Sequence, residues 1–173
     1  MPGTRTHTGV RVKSAPDPPD SIKRKPPELE TGVEFVDVLS VTPTQSDHDS
    51  LERFLGRSKW RVHRASTLAT GVELLRQKGV SLVICERDLC PGSWRDFLAH
   101  ITLLPKPPHL IVTSRLADEQ LWAEALNLGA YDVLSKPLES NEVARVLGSA
   151  WLHWNRRFGV ASEPPKATAS RMA

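Results

Sequence analysis

The sequence predicts an α/β protein with a doubly wound parallel sheet of five strands. Runs of β-branched and other apolar residues alternate five times with segments whose apolar residues recur at helical spacing. The connections are short, and two of the middle runs are continuously apolar, as expected of strands covered on both faces. This alternation favours right-handed crossovers that place helices on both sides of one sheet.

The first unit of strand and helix follows a polar, proline-rich segment. Residues 35–42, FVDVLSVT, are rich in β-branched side chains and predict a strand. Residues 46–57 carry apolar side chains at helical spacing, and Ser46 or Asp47 is the predicted N-cap. The strand therefore ends shortly before a helix begins, which is the arrangement of an α/β unit.

The second and third units follow the same pattern. Residues 60–66, WRVHRAS, alternate between apolar and polar and predict a half-exposed edge strand, followed by a helix over 67–79. Residues 80–85, VSLVIC, predict a buried strand, and the helix over 93–104 has Ser93 as its predicted N-cap.

The fourth and fifth units complete the sheet. Residues 108–114 predict another buried strand, and the helix over 118–130 ends at Gly129. Residues 131–135 predict the fifth strand, and residues 139–158 predict a last amphipathic helix. In open parallel sheets functional groups gather where the strands end, so the carboxyl ends of these strands are the place to look for a site.

Proline-rich polar segments flank the predicted domain, which spans residues 34–158. The flanks, residues 1–33 and 159–173, hold eight of the 14 prolines. They carry too little apolar surface to offset the entropy of ordering a chain, so both are predicted to be disordered tails. A docking role for the N-terminal tail stays open beside the favoured reading, a solvated extension.

Composition limits the classes of function. The formal net charge is +3 with 25% charged residues, and the basic residues are dispersed, which does not favour nucleic-acid binding. No apolar run approaches the ~18 residues of a membrane span. Cys85 and Cys90 fit neither a disulfide framework nor a metal motif, so a reducing, cytoplasmic location is expected.

Polar side chains follow three of the predicted strands. Glu86 follows the third strand in VSLVICERDLCPGSW, Thr113 and Ser114 follow the fourth in HLIVTS, and Lys136-Pro137 follows the fifth in GAYDVLSKPL. An acid, a hydroxyl and a Lys-Pro pair, in this order on a fivefold βα pattern, resemble the receiver domain of bacterial two-component response regulators. The resemblance covers about residues 35–157 and implies a flavodoxin-like receiver fold.

The resemblance also implies a chemistry and a role for each matching residue. In such domains a carboxylate after the third strand accepts a phosphoryl group, with Mg²⁺ held by that carboxylate and two acids after the first strand. Glu86 lies at the position of the phosphoacceptor. Thr113 lies at the position of the switch hydroxyl, and Lys136 lies at the position of the lysine that contacts the phosphoryl group. Pro137 takes the place of the proline that follows a cis peptide bond.

Two departures from the family pattern weaken phosphorylation. Thr42 and Pro43 stand where the acidic pair is expected, so a hard divalent cation loses its charged ligands and no metal site is predicted. The nearest acids, Asp47 and Asp49, fall inside the predicted helix. Glu86 is one methylene longer than aspartate, which misplaces the nucleophile, and an error of about 1 Å can cost roughly 10²-fold in rate.

Glutamate at the acceptor place partly imitates a phosphorylated aspartate. Glu86 carries one negative charge and reaches further than aspartate, so it is expected to pair with Lys136. If that pair is exposed it contributes about 0–1 kcal/mol net, enough to bias a loop but not to lock it. Asp88 is the runner-up acceptor, although two residues past the strand end it should lie on a loop.

The last helix offers a contact surface. Trp151 is expected in the core, whereas Trp154, Arg156 and Arg157 are predicted to meet a partner protein. Trp122, on the preceding helix, is expected to serve in packing.

These observations predict a non-enzymatic, stand-alone, degenerate receiver that acts by phosphorylation-independent contact with proteins. The alternative is a phosphate-accepting receiver that uses Asp88 or Glu86 with Mg²⁺, which is the one case in which a cofactor is expected. Expected partners are a sensor histidine kinase or another regulator, or a second copy through the face of the fourth helix, fifth strand and fifth helix. A flavodoxin-like nucleotide binder is disfavoured because VTPTQSD, after the first strand, contains no glycine.

Overall fold

The computed structural model describes residues 35–159, which form one five-stranded parallel sheet covered by helices on both faces. The ten elements alternate along the chain: β1 (Val36–Val41), α1 (Gln45–Leu55), β2 (Trp60–Ala65), α2 (Leu68–Gln77), β3 (Leu82–Glu86), α3 (Trp94–Thr102), β4 (His109–Ser114), α4 (Glu119–Leu128), β5 (Asp132–Ser135) and α5 (Ser140–Phe158). The strand order is β2-β1-β3-β4-β5, with every neighbouring pair parallel. This confirms the predicted fold class.

Two apolar layers hold the helices to the sheet. On one face α2, α3 and α4 pack on alternate strand residues, among them Leu39, Val83 and Val112. On the other face α1 and α5 pack on the intervening residues, among them Val38 and Ile84. The period-2 alternation of strand side chains sends neighbouring residues to opposite layers, which is why the buried strands have no polar face.

The edge position of β2 was predicted correctly. β2 pairs only with β1 in the described sheet, and its middle residues are exposed or half-buried. Several helix ends were also predicted correctly: Ser93 precedes α3, with its backbone N–H and hydroxyl both donating to Asp96, and Gly129 ends α4 with φ +106°. Glycine adopts that left-handed conformation without the clash that a Cβ brings.

Two expectations were wrong. The N-cap of α1 is Thr44, not Ser46 or Asp47, because the extended chain at Thr44 turns at once into the helix. Trp122 is 43% exposed rather than packed, because α4 turns Leu121 and Ala125 to the core instead. The predicted disordered tails, residues 1–33 and 159–173, lie outside the described residues apart from Gly159.

Candidate functional site

Four chain segments meet at the carboxyl ends of the strands and enclose a cavity of about 270 Å³. The segments are the turn after β1, the loop after β3, the loop after β4 and the end of β5. The lining side chains combine three cations, two carboxylates and small polar groups: Pro43, Thr44, Glu86, Arg87, Asp88, Ser114, Arg115, Leu116 and Lys136. The cavity lies at the edge where the parallel topology places functional groups.

Lys136 joins two carboxylates at the floor of this cavity. Its ammonium contacts Glu86 Oε2, from the end of β3, and Asp47 Oδ2, from the first turn of α1. The three side chains are 8%, 15% and 16% exposed for Lys136, Glu86 and Asp47. We call these three residues the Lys136 trio. The Glu86–Lys136 pair is mostly buried, so screening of its charges is weaker and the removal of one partner is more costly than at an exposed site.

Thr42 positions Asp47 for this contact. The Thr42 hydroxyl donates to Asp47 Oδ2 at 3.0 Å and accepts the backbone N–H of Thr44 at 3.2 Å. Thr42 is 3% exposed, so its hydroxyl is fully engaged inside the turn between β1 and α1. A carboxylate at position 42 would repel Asp47, whereas the hydroxyl binds it.

Sequence reasoning missed Asp47 because it placed the start of the helix too late. The structure brings Asp47 into the first turn of α1, where its carboxylate reaches back over the end of β1. The signal was present in Pro43 and Thr44: the restricted proline ring disfavours a helix before it, and a hydroxyl residue often precedes the first helical turn. Asp49 does not join the Lys136 trio; its carboxylate pairs with Arg64 at 3.0 Å.

The hydroxyl of Thr113 is turned toward the sheet. It donates to the Cys85 carbonyl at 3.4 Å, and the residue is 2% exposed. Its neighbour Ser114 lines the cavity, and the Ser114 Oγ accepts the backbone N–H of Leu116 at 3.1 Å. The switch role assigned to Thr113 stays a prediction.

The loop after β3 separates the two candidate acceptors. Glu86 lies at the cavity floor, whereas the Asp88 side chain is 81% exposed and lies 3.7 Å from the Arg87 guanidinium. Asp88 forms an isolated antiparallel bridge with Ser93, as expected of a loop residue. The Lys136–Pro137 peptide bond is cis, as the family resemblance implied, and Cys90–Pro91 is also cis.

The residues at the cavity do not fit the magnesium site that the family pattern implies. Magnesium is usually held by one or two carboxylates together with waters and phosphate oxygens. Here Asp47 and Glu86 are both bound to Lys136, and Thr42 donates to Asp47 rather than offering a charged oxygen. Within residues 35–159 no group of three or more histidine, cysteine or acidic side chains is arranged to hold a metal ion.

Two titratable groups beside the trio have a pKa shifted toward the neutral form. Burial, and then the nearby Arg64 guanidinium, lowers the pKa of His48. His48 Nε2 donates to the Thr42 carbonyl at 3.1 Å, which leaves Nδ1 to accept from the Ser40 hydroxyl at 2.9 Å. Burial raises the pKa of the Cys85 thiol, helped by the Glu86 carboxylate, so this thiol is an inert part of the core.

The aromatic residues of α5 contact one another. Trp151, 8% exposed, stacks on Trp154 with ring centroids 5.7 Å apart, and Trp154 meets Phe158 at 5.6 Å. The Trp154 indole N–H donates to the Pro107 carbonyl at 3.1 Å. Trp151 therefore belongs to the core as expected, while the partner contacts assigned to Trp154, Arg156 and Arg157 stay predictions.

Comparison with known proteins defines the class of this protein. The pattern of the response regulator receiver domain matches residues 38–147, so the chain belongs to the response regulator receiver family, and it is a receiver domain of two-component signalling. The sequence resemblance is thereby confirmed. Receiver domains contact kinases and other signalling proteins, and they are in general signalling domains rather than enzymes in the usual sense.

The particular relatives are regulators and isolated receiver domains. The transcriptional regulatory protein ZraR of Klebsiella oxytoca is 30% identical over 135 residues, and that of Escherichia coli K12 is 29% identical over 137. These matches cover 78% and 79% of this chain, and the chain spans about 30% of the length of each relative.

Solved receiver structures share the fold. The receiver domain of an HD domain-containing protein from Pseudomonas fluorescens Pf-5 is 26% identical with a TM-score of 0.65, covering 71% of this chain and 91% of that one. The receiver domain of a LuxO repressor protein from Vibrio parahaemolyticus, 17% identical, has a TM-score of 0.67, covering 71% and 95%. Among the described residues no helix is long and apolar enough to cross a membrane.

Proposed function

We propose that this receiver works without accepting a phosphoryl group and gives its output by contact with other proteins. The Lys136 trio carries the proposal, because the lysine ammonium already contacts the carboxylates of Glu86 and Asp47. Glu86 holds Lys136 much as an oxygen of a phosphoryl group would, so the domain is fixed in one signalling state.

Electrostatics argues against phosphoryl transfer in this arrangement. A phosphoryl group adds about −1.5 to −2 charge, which must be offset by cations close to its oxygens. Lys136 is engaged by Asp47 and Glu86, and the residues present do not suit a divalent cation. A phosphoryl group on Glu86 would have to displace the mostly buried ion pair that this carboxylate forms with Lys136.

The output surface in this proposal combines α4 and α5. Trp122 and Leu126 lie one turn apart on α4, 43% and 42% exposed, and such an apolar stripe suits a protein contact. The proposed partners are a histidine kinase, another regulator, or a second copy that binds through α4, β5 and α5.

Trp154, Arg156 and Arg157 are proposed to contact the partner. The proposed location is the cytoplasm, and the proposed function requires no cofactor.

Intact-mass measurement tests the proposal. The protein is incubated with a small acyl phosphate or phosphoramidate and Mg²⁺, and its mass is expected to stay unchanged. A receiver that keeps an acceptor aspartate and both metal-binding acids, treated in parallel, shows that the reagent is active. A phosphoryl adduct that disappears in Glu86→Ala or in Asp88→Ala would overturn the proposal and establish the alternative, a phosphate-accepting receiver.

A further inference from the structure

The loops that lead into the strands gather positive charge at one end of the domain. In a parallel sheet these loops lie at the amino ends of the strands, opposite to the cavity at the carboxyl ends. We call this end the amino pole, and it comprises Phe35 and residues 56–59, 78–81, 103–108, 128–131 and 155–159. Six exposed cations, which are dispersed along the sequence, meet there: Arg57, Lys59, Lys78, Lys106, Arg156 and Arg157.

Hydrogen bonds place the loops of the amino pole side by side. Four backbone bonds cross it from one edge of the sheet to the other: the N–H of Val36 to the Lys59 carbonyl at 2.7 Å, Ser81 to Asp37 at 3.1 Å, His109 to Ser81 at 3.1 Å and Tyr131 to Leu110 at 2.6 Å. The last turn of α5 joins this row, because Lys106 Nζ donates to the Phe158 carbonyl at 3.4 Å and the Trp154 indole donates to the Pro107 carbonyl. The six cations therefore belong to one continuous surface.

The amino pole contains no acidic residue. Of the acids in residues 35–159, only Asp37 and Asp132 lie within two residues of it. Asp37 Oδ1 lies 2.7 Å from His63 Nε2, and Asp132 Oδ1 accepts the N–H of Val133 at 2.8 Å. No described carboxylate forms an ion pair with any of the six cations.

Neither the total charge nor the helix dipoles account for this cluster. Residues 35–159 contain 15 lysines and arginines and 14 acids, so the cluster is an asymmetry within a nearly neutral domain. Each helix ends at the amino pole with a dipole charge of about −0.5, so the five helix ends offset less than half of the six positive charges. An excess of positive charge therefore faces outward at this end.

Exposed apolar side chains lie among these cations. Leu103 is 81% exposed, Leu128 51% and Phe35 43%. Leu103 shares its loop with Lys106, and the Arg61 guanidinium lies 4.7 Å from the centre of the Phe35 ring. Proteins that bind at a bilayer surface combine cations for anionic head groups with apolar side chains for the acyl boundary. The phosphate backbone of duplex DNA offers charge but no apolar layer, so an anionic lipid surface is the better match.

We infer that the amino pole binds the surface of an anionic lipid bilayer. The six cations contact the head groups, and the side chains of Phe35, Leu103 and Leu128 enter the boundary with the acyl chains. Each cation near such a surface raises the affinity about fivefold. The inference is independent of the proposed function, because the Lys136 trio lies at the opposite end of the sheet.

Vesicle sedimentation tests the inference on the full chain. The protein is mixed with vesicles of equal parts phosphatidylglycerol and phosphatidylcholine and, separately, with vesicles of phosphatidylcholine alone. Binding is expected only to the anionic vesicles, and it should weaken as NaCl is raised, because salt screens the charges. Duplex DNA added at an equal concentration of phosphate is expected to leave the protein on the vesicles.

Matched variants show which surface meets the lipid. Lys106→Gln and Arg157→Gln each remove one cation of the amino pole, which is expected to weaken binding about fivefold. Leu103→Ser removes an exposed apolar side chain at constant charge, and the expected loss is about tenfold. Arg145→Gln, at an exposed position of α5 outside the amino pole, is the control and leaves the affinity unchanged. Circular dichroism shows that each variant is folded.

Four results would overturn the inference. They are equal binding to both kinds of vesicle or to neither, full binding by both cation variants or by the leucine variant, an equal loss in the control, and release of the protein by DNA. The last result would assign the amino pole to nucleic acid instead. A failure here is separate from a failure of the proposed function, which is read from the mass of the protein after treatment with a phosphodonor.

Discussion

The ammonium of Lys136 has three N–H donors, and two carboxylates of the same chain lie against it. With an exposed fraction of 8%, the lysine side chain has little access to water as a replacement partner. Ion pairs of this kind are weak evidence for net stability, since desolvation offsets much of the Coulomb attraction. The loss of one partner is nevertheless costly. Without the shared cation, two partly buried negative charges lie side by side.

Lys136→Met is therefore expected to destabilise the fold strongly. Removal of one partner from a buried ion pair costs about 3–5 kcal/mol, and here Asp47 and Glu86 would in addition repel each other. Urea denaturation, followed by circular dichroism, measures the loss as a lower midpoint at unchanged slope.

Neutral variants separate charge from packing. Glu86→Gln should cost less than Lys136→Met, because Asp47 still compensates the lysine. The triple variant Asp47→Asn, Glu86→Gln, Lys136→Met should recover much of the lost stability, since no uncompensated charge remains. Equal losses in the single lysine variant and the triple variant would show that the trio contributes by packing alone.

The site was only partly predictable at the level of residues. The expected contact between Glu86 and Lys136 is observed because Glu86 ends β3, Lys136 directly follows β5, and parallel strands bring their carboxyl ends to one edge. Asp47 was missed because its role depends on the helix start at Gln45 and on the Thr42 hydrogen bond. Neither the burial of the trio nor the turn of Thr113 toward Cys85 can be seen in residue spacing, since both depend on side-chain rotamers.

At the scale of elements, α2 depends on a glycine for its close approach to the sheet and to α3. A Cβ at Gly71 would lie 2.8 Å from Phe97 Cε2 and 3.1 Å from a methyl group of Val41. Phe97 and Val41 are both fully buried, so neither can move aside easily.

Gly71→Ala is expected to destabilise the protein by about 1–3 kcal/mol through overpacking, despite the better helix propensity of alanine. Gly148→Ala on α5 is the matched control. A Cβ there meets nothing within 4 Å, so the same change should stabilise by about 0.5–1 kcal/mol. Thermal unfolding of both variants measures the two shifts, and a stabilised Gly71→Ala would contradict the close packing of α2.

Helix ends were predicted where a local rule dominates and missed where tertiary contacts decide. Ser93, the predicted N-cap, lies directly before α3, and Gly129, the predicted end of the fourth helix, follows α4 directly. Thr44 makes no side-chain capping hydrogen bond to α1. The rule that favours a capping hydroxyl or carboxylate therefore selected Ser46 or Asp47, which lie two and three residues too late. Trp122 was misplaced because an apolar residue on an amphipathic helix can lie just outside the buried stripe.

For the molecule as a whole, buried His48 and half-buried His109 are expected to make stability depend on pH. The pKa of His48 is lowered by burial and by Arg64, and that of His109 by burial, His153 and Arg157. A lowered histidine pKa in the folded state means that the unfolded chain binds more protons below pH 6.5, so stability falls as the pH falls.

The free energy of unfolding is therefore expected to be flat from pH 8 to about pH 7 and to decline toward pH 5. The slope should not exceed about 1.4 kcal/mol per pH unit for each histidine. The pKa of Glu52 is lowered by its bond to Arg64, so this carboxylate loses its contribution only below this window, at pH values under about 4.5. Urea denaturation at pH 8, 7, 6 and 5 measures the profile.

Substitution of both histidines should flatten that profile. In the double variant His48→Asn, His109→Phe, asparagine can still hydrogen-bond and phenylalanine can still stack on Tyr131, whose ring lies 4.8 Å from that of His109. A decline between pH 7 and pH 5 that persists in this variant would show that other groups govern the acid side.

The shared cation of the Lys136 trio also limits how this receiver can change over evolutionary time. Loss of Lys136 alone exposes two carboxylates to each other, and a new acid at position 42 would repel Asp47. A change to the family's metal-binding pattern is therefore expected to pass through less stable variants unless several positions change together. Because Asp47 and Glu86 share Lys136, each single substitution toward that pattern is expected to lower the stability of the fold.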